Sequence, residues 1–265
     1  MNIIKKLPEN LINQIAAGEV IERPSSALKE LLENSIDANA TEIDIYITNG
    51  GKTLIEVVDN GKGMTSNDLK MCLERHATSK ITDGDLVNIN SLGFRGEALP
   101  SIGSIADISI DSHDTIKNES WNISVINNAL QNIEPSVLRE GTKVTIRDLF
   151  SKVPARLKFL KTNGTEVRYC KEIVKHLAMS HPNIAFSFHT DAKKIFYWNK
   201  SEGINFLSTK ARLKQVMGED FIVSSVSVEE ERPGMLLVGM VGMPTLNRNT
   251  GREQYLFVNN RPVKD

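Results

Sequence analysis

Glu30, Asn34 and Asp37 stand at i, i+4 and i+7 in the run Leu28-Lys29-Glu30-Leu31-Leu32-Glu33-Asn34-Ser35-Ile36-Asp37. A helix of about 3.6 residues per turn stacks these three on one face and turns Leu28, Leu31, Leu32 and Ile36 to the other. A carboxylate one turn before a carboxamide suits a site where one group activates a water and its neighbour holds a hard cation, which is the chemistry of nucleotide hydrolysis. A polar face opposite a leucine stripe is also what an ordinary surface helix presents. The spacing therefore needs support from elsewhere in the chain.

Asp59-Asn60-Gly61-Lys62-Gly63-Met64 offers such support. The two glycines permit positive φ and a close approach of main chain to a flat ligand, and an aspartate at a strand end can accept from an exocyclic amine. A charged acceptor of this kind contributes ~1.5–3 kcal/mol and separates adenine from guanine, which carries an oxygen at that position. A polar turn is the plainer alternative. Gly93-Phe94-Arg95-Gly96 precedes a helix, whose first main-chain amides can face phosphate oxygens. A lid over a triphosphate and a loop with an ordinary helix start both fit. Thr78-Ser79-Lys80 adds two hydroxyls and an ammonium to the same stretch, and Thr142 after Gly141 could reach the same pocket from a strand.

Other phosphate motifs fail on spacing. Gly51-Lys52-Thr53 resembles the end of a P-loop, but Tyr46 stands where its first glycine belongs. Gly61 and Gly63 lack the third glycine of a dinucleotide fingerprint, whose place is taken by Ser66. His76, His113, His176, His181 and His189 form no metal pair at helical spacing.

Definite elements must hold these groups. Pro24 and Ser25 start the first helix and Asn39-Ala40 ends it. Ile43, Ile45 and Ile47 alternate with polar residues as in a half-buried strand, and Asn49-Gly50-Gly51 turns the chain into a second strand, Thr53 to Val58, to make a hairpin. Thr65 and Asp68 resemble a capping box opening a helix towards His76. Residues 78–95 have little periodicity and predict a long loop, of the kind used for lids. A short helix from about Gly96 is expected next, then strands near Ile105 to Asp111, Trp121 to Ile126 and Lys143 to Arg147. The helix Glu166 to Ser180 and strands Ala185 to Thr190 and Lys194 to Tyr197 follow. After polar residues 200–203, a helix from Asn205 to Met217 and strands near Ile222 to Val228, Met235 to Gly242 and Gln254 to Val258 read as a second domain.

The 265 residues, 40% hydrophobic and 25% charged, suit a globular protein with one large domain or two. No apolar run approaches the ~18 residues of a membrane span and Met1 to Leu7 lacks the apolar core of a secretory signal, so a cytoplasmic protein without membrane contact is expected. Cys72 and Cys170 show neither zinc nor disulfide spacing. A net charge of −1 leaves any DNA contact to local patches. Lys158, Lys161, Arg168, Lys171 and Lys175 form one basic stretch, and Arg248, Arg252, Arg261 and Lys264 another; solvated charge is the commoner reason for both.

The ordered set Glu30-x-x-x-Asn34, Asp59-x-Gly61-x-Gly63, Gly93-x-x-Gly96 and Gly141-Thr142 resembles the four nucleotide-binding motifs of the GHKL ATPase superfamily. Longer strings are similar to the N-terminal region of the MutL family of DNA mismatch repair proteins: Ile15-Ala16-Ala17-Gly18-Glu19-Val20-Ile21-Glu22-Arg23-Pro24, Arg75-His76-Ala77-Thr78-Ser79-Lys80, Gly93-Phe94-Arg95-Gly96-Glu97-Ala98-Leu99 and Pro154-Ala155-Arg156-Leu157-Lys158-Phe159-Leu160. The resemblance implies an α/β two-layer sandwich of the GHKL (Bergerat) type over residues 1–202, a mixed sheet with helices on one face, and part of a second α/β domain like domain 2 of ribosomal protein S5 over 203–265. It further implies a mismatch repair ATPase that takes ATP with Mg2+, with Glu30 as general base and Asn34 as magnesium ligand. Asp59 would read adenine, with Gly61, Gly63 and Met64 beside it. Thr78, Ser79, Lys80, Gly93, Phe94, Arg95 and Gly96 would form the lid, and Thr142 the pocket floor.

Asp37 is given no step. Lys152 and Val153 stand where many relatives have Asn-Thr, so no role passes to them, and the family's phosphate-contacting lysine belongs to a later part of the second domain. The implied partners are DNA, the mismatch-recognition protein MutS, downstream repair enzymes and, on ATP binding, a second copy of the chain. A nucleotide-gated adaptor, in which binding matters more than hydrolysis, is the alternative. A topoisomerase or chaperone subunit fits the four motifs but not the longer strings.

Overall fold

The computed structural model describes residues 5, 7–80, 91–93, 95–201, 206–246 and 251–263. Phe94, Arg248 and Lys264, residues 81–90 of the expected lid and the side chain of Arg252 lie outside these. The elements run α1 (Glu9–Val20), α2 (Pro24–Asp37), β1 (Glu42–Thr48), β2 (Leu54–Asp59), α3 (Ser66–Met71), α4 (Ala98–Ile105), β3 (Asp107–Asp114), β4 (Glu119–Ile126), β5 (Ala129–Leu130), β6 (Glu134–Pro135), β7 (Thr142–Arg147), α5 (Asn163–Ser180), β8 (Ala185–Thr190) and β9 (Lys193–Trp198). Then come α6 (Phe206–Met217), α7 (Glu219–Val223), β10 (Ser225–Arg232), β11 (Met235–Gly242), β12 (Leu256–Val258) and β13 (Arg261–Val263).

Among the described residues one sheet takes the order β5-β4-β3-β7-β2-β1-β8-β9, with β6 also on β4. The pairings from β4 through β3, β7 and β2 to β1 are all antiparallel. Period-two alternation and register together put one side chain from each strand into rows across the buried face. One row is Ile47, Ile55, Ile146 and Ile108; the next is Ile45, Val57, Val144 and Ile110. The third is Ile43, Asp59, Thr142 and Ser112, so the apolar face ends in a polar row. All three of its polar members are buried.

The helices lie against this face: α2 on β2, α4 on β3 and α3 on β3 and β4, while α1 packs on α4. Pro24 opens α2 at its first turn, where a missing N–H is harmless and a fixed φ helps. Ala27, Leu28, Leu31 and Leu32 are buried. Each leucine contributes roughly 1.5–3 kcal/mol of transfer free energy and fixes the rotation of the opposite face. Ile36 is only half-buried, and Ser35 points inward instead. The Thr65 hydroxyl accepts from the Asp68 N–H (3.2 Å), capping α3 as expected, but α3 ends at Met71.

Contacts divide the chain into two compact units, residues 1–173 with 187–196 and residues 174–186 with 197–265. In the second, β10 and β11 form an antiparallel hairpin from Ser225↔Gly242 to Arg232↔Met235, and β12 pairs with β13. The strand expected from Ile222 begins only at Ser225; Ile222 and Val223 end α7. Gly218 at φ 91° stops α6, and Glu219 and Asp220 in the next first turn favour a new helix. Arg212 is buried in this unit and its Nη2 donates to the carbonyls of Pro182 (3.1 Å), Ile184 (2.5 Å) and Asn199 (3.1 Å). Burial lowers its pKa to about 10. Among the described residues no helix is long and apolar enough to cross a membrane.

Candidate functional site

Asp59 ends β2 at the polar row, 6% exposed. Burial pushes its carboxyl above the usual range, and bonds from the Ser35 hydroxyl and the Gly61 and Thr142 main chain pull it back. The Ser35 hydroxyl donates to Asp59 Oδ2 (2.7 Å) and the Gly61 N–H to Oδ1 (2.9 Å). Beside it Ser112 Oγ lies 2.9 Å from Thr142 Oγ1 and accepts from the Met64 N–H (2.9 Å). Asp59, Gly61, Met64 and Thr142, all expected to line the nucleotide pocket, are thus gathered into one network. Ser35 and Ser112 complete it and had been overlooked. The signal for Ser112 was present: it continues the buried alternation Ile108, Ile110, past the Asp111 at which the expected strand stopped.

The sequence suggested positive φ for both loop glycines; Gly63 alone has it (φ 66°), with the space for its missing side chain 1.9 Å from the His113 carbonyl oxygen. Its neighbouring strand, before any ligand, requires glycine there. Gly96 at φ 63° lies against the Ala77 carbonyl in the same way, 2.4 Å from where a Cβ would be.

The C-terminal half of α2 meets the start and end of the expected lid. Lys80 Nζ donates to Asn34 Oδ1 (2.7 Å) and to Asp37 Oδ2 (2.6 Å). Asp37 also accepts from the Leu92 N–H at Oδ1 (2.9 Å) and the Gly93 N–H at Oδ2 (3.2 Å). Asp37, which the motifs left without a step, therefore ties Lys80 and the chain at 92–93 to the helix. Its position one turn beyond Asn34 on the same face was the available signal. Thr78 Oγ1 accepts from the Lys80 N–H (3.2 Å), while Ser79 is exposed.

Glu30 stands one turn before this cluster and borders a separate cavity of about 290 Å³ lined by Glu19, Val20, Ser25, Ser26, Lys29 and Ile173 among others. Burial pushes its carboxyl above the usual range; Lys29, Lys80 and Arg95 pull downward and Glu33 upward. Lys29 bridges Glu33 at 2.7 Å and lies 3.9 Å from Glu30. A carboxylate so placed is a competent proton acceptor, and Asn34 Oδ1, already holding a cationic ammonium, is the oxygen donor a hard cation prefers. The donor set thus fits a nucleotide with a divalent ion: buried acceptors on the floor, and a carboxamide oxygen, an ammonium and glycine amides above.

Residues 21–148 match the family described as histidine kinase-, DNA gyrase B- and HSP90-like ATPase, and residues 213–265 match the DNA mismatch repair protein, C-terminal domain. Over 99% of its length the chain is 47% identical to the DNA mismatch repair protein MutL of Paramagnetospirillum magneticum, covering 43% of that protein. It is 49% identical to MutL of Beijerinckia indica, again over 99% of the chain and 41% of the relative. The chain belongs to the MutL family. It corresponds to the N-terminal GHKL ATPase region of MutL and spans about two fifths of these relatives. The fold matches the Aquifex aeolicus MutL ATPase domain complexed with ADP at TM-score 0.72 and 29% identity, covering 93% of this chain and 85% of that one. The N-terminal domain of a DNA repair protein matches at TM-score 0.78 and 26% identity, covering 96% and 78%. The GHKL sandwich and the second α/β domain expected from the motifs are therefore those of MutL.

Proposed function

We propose that this MutL-family chain binds ATP over the polar row and hydrolyses it slowly, as the ATPase of a mismatch repair clamp. The observation that carries the reading is the knot at the end of α2, where Asn34, Asp37, Lys80 and Gly93 converge within hydrogen-bond distance. Asp59 and its network read adenine; Gly61, Gly63 and Met64 line the base. Lys80 exchanges Asn34 and Asp37 for phosphate, and Thr78, Ser79, Gly93, Phe94, Arg95 and Gly96 close as the lid. Asn34, released from Lys80, would hold magnesium through its carboxamide oxygen, and the ion would supply neutralisation of phosphate charge. Glu30 takes the proton of the attacking water as the terminal phosphoanhydride breaks to ADP and phosphate.

In this reading residues 1–202 form the ATP-binding domain and 203–265 begin the domain that passes lid state to DNA, to MutS and to downstream repair enzymes. The location is cytoplasmic. Two copies associate through the lid and N-terminal segment when ATP binds. DNA contact falls to the basic stretch of Lys158, Lys161, Arg168, Lys171 and Lys175. The log affinity for DNA should then fall with log salt by ~0.9 per phosphate neutralised, and a flat response rejects it.

Glu30→Ala tests the central step. Turnover should fall ~10²- to 10⁴-fold with ATP affinity retained. Unchanged turnover removes Glu30 from the chemistry. Repair activity that survives the loss favours the nucleotide-gated adaptor instead.

A further inference from the structure

Two of the strings that single out this family lie far apart in sequence and meet in space. Arg156, on the 3₁₀ helix Pro154–Phe159, places its guanidinium where a side chain of Gly18 would be. A Cβ at Gly18 would lie 1.4 Å from Nη2 and 2.3 Å from Cζ. Arg156 Nη1 also donates to the Ile21 carbonyl (3.1 Å), and the Ile21 N–H in turn caps α1 on the Ala17 carbonyl (2.8 Å). The last turn of α1 carries no basic residue of its own, so Arg156 supplies the cation that the negative end of that helix favours. Between Gly18 and Ile21 stand Glu19 and Val20, which with Lys29 and Glu30 wall the 290 Å³ cavity. Ile21 itself is buried in the short connection from α1 to α2, the helix that carries Glu30.

We infer that Arg156 is a positioning residue for Glu30: inserted over Gly18 and bonded to Ile21, it fixes the end of α1 as a wall of the cavity that Glu30 borders. The guanidinium bonds to the main chain at the end of α1. It acts by setting where Glu19 and Val20 stand, and hence the volume and access of the cavity. Gly18 is glycine because the space is already filled. Its φ is not in the positive range, and alanine is the better helix former at such a position. Loss of function on Gly18→Ala would therefore come from eviction of Arg156 and not from damage to the helix.

The inference rests on Glu30 being the base, and a double-mutant cycle on the whole chain separates the two. Arg156→Ala and Gly18→Ala should each lower kcat for ATP between ~10- and ~100-fold, the range expected when a catalytic group is displaced by about 1 Å. KM for ATP should stay within about twofold, since uniform binding is untouched. In the Arg156→Ala background, adding Gly18→Ala should change kcat no further. Hydrogen exchange without nucleotide supplies a readout independent of turnover: amides 18–23 should exchange faster in both single variants. Additive losses in kcat, a loss carried by KM, or unchanged exchange at 18–23 overturns the positioning role. A wild-type chain that does not turn over ATP overturns the reading of Glu30 instead, while the exchange arm still decides whether the clasp exists.

Discussion

Asp59 is a charge that burial disfavours and three hydrogen-bond donors only partly compensate. Because its folded pKa is raised, the folded chain binds this proton more readily than the unfolded one. The stability linked to the group is therefore complete below the ordinary carboxylate range and lost as pH rises through the raised value. Asp59→Asn escapes that loss. Its thermal midpoint should exceed that of the wild type at neutral pH, and the gap should close as pH is lowered past ~4. Unfolding curves across that range provide the check, and a gap independent of pH contradicts it. The same substitution should weaken ATP binding ~10- to 100-fold, because a charged acceptor contributes ~1.5–3 kcal/mol to a buried hydrogen bond. Stability gained where binding is lost is what a site residue, as opposed to a core residue, shows.

At the scale of elements, the loop after β2 depends on Gly63, whose left-handed backbone lies against the His113 carbonyl of β3. Gly63→Ala combines a disfavoured φ with a main-chain collision and should destabilise by ~1–3 kcal/mol. Chemical denaturation measures this, and nucleotide affinity should fall with it because Met64 and Ser112 are joined through the same loop. The elements that carry the site were legible because their cues are local: alternating isoleucines in β1, the Asn-Gly-Gly turn, Pro24 opening α2, and Thr65 capping α3. Helix α1 was not. Leu11, Ile12 and Ile15 are exposed, and Ala17 is the apolar residue it buries fully, so the stripe that marks a helix is faint. β5 and β6 have two residues each and exist through their pairing with β4, which no period-two window detects. Within the candidate site, Glu30, Asn34 and Asp59 were expected from the motifs. Asp37 and Ser112 carried a signal in their spacing, whereas Ser35 required the rotation of α2 that only packing supplies.

For the whole molecule, the main prediction is a change of state with nucleotide. Lys80 and the amides at 92 and 93 are held by Asp37, and in the proposed reading phosphate takes over these bonds as the lid closes. A ligand shifts such an equilibrium only by its differential affinity for the two states. A non-hydrolysable ATP analogue with magnesium should therefore raise hydrogen-exchange protection across residues 78–95 and convert monomer to dimer in sedimentation. Protection that is the same with and without the analogue removes the clamp. In Asp37→Ala the bonds to be displaced are fewer, so residues 91–93 should exchange faster before nucleotide is added.

The polar row has a consequence for how such a protein can fail. Asp59, Thr142 and Ser112 share their alternation with the isoleucines and valines of the two apolar rows. A slip of one residue in β2 would carry Asp59 outward together with Ile55 and Val57. Substitutions within the two apolar rows of this sheet should accordingly present as loss of protein and not as a stable, nucleotide-blind variant. Alleles that leave abundant but inactive protein are to be sought in the polar row itself, on the polar face of α2 and at the lid, where side chains can change without moving the apolar core.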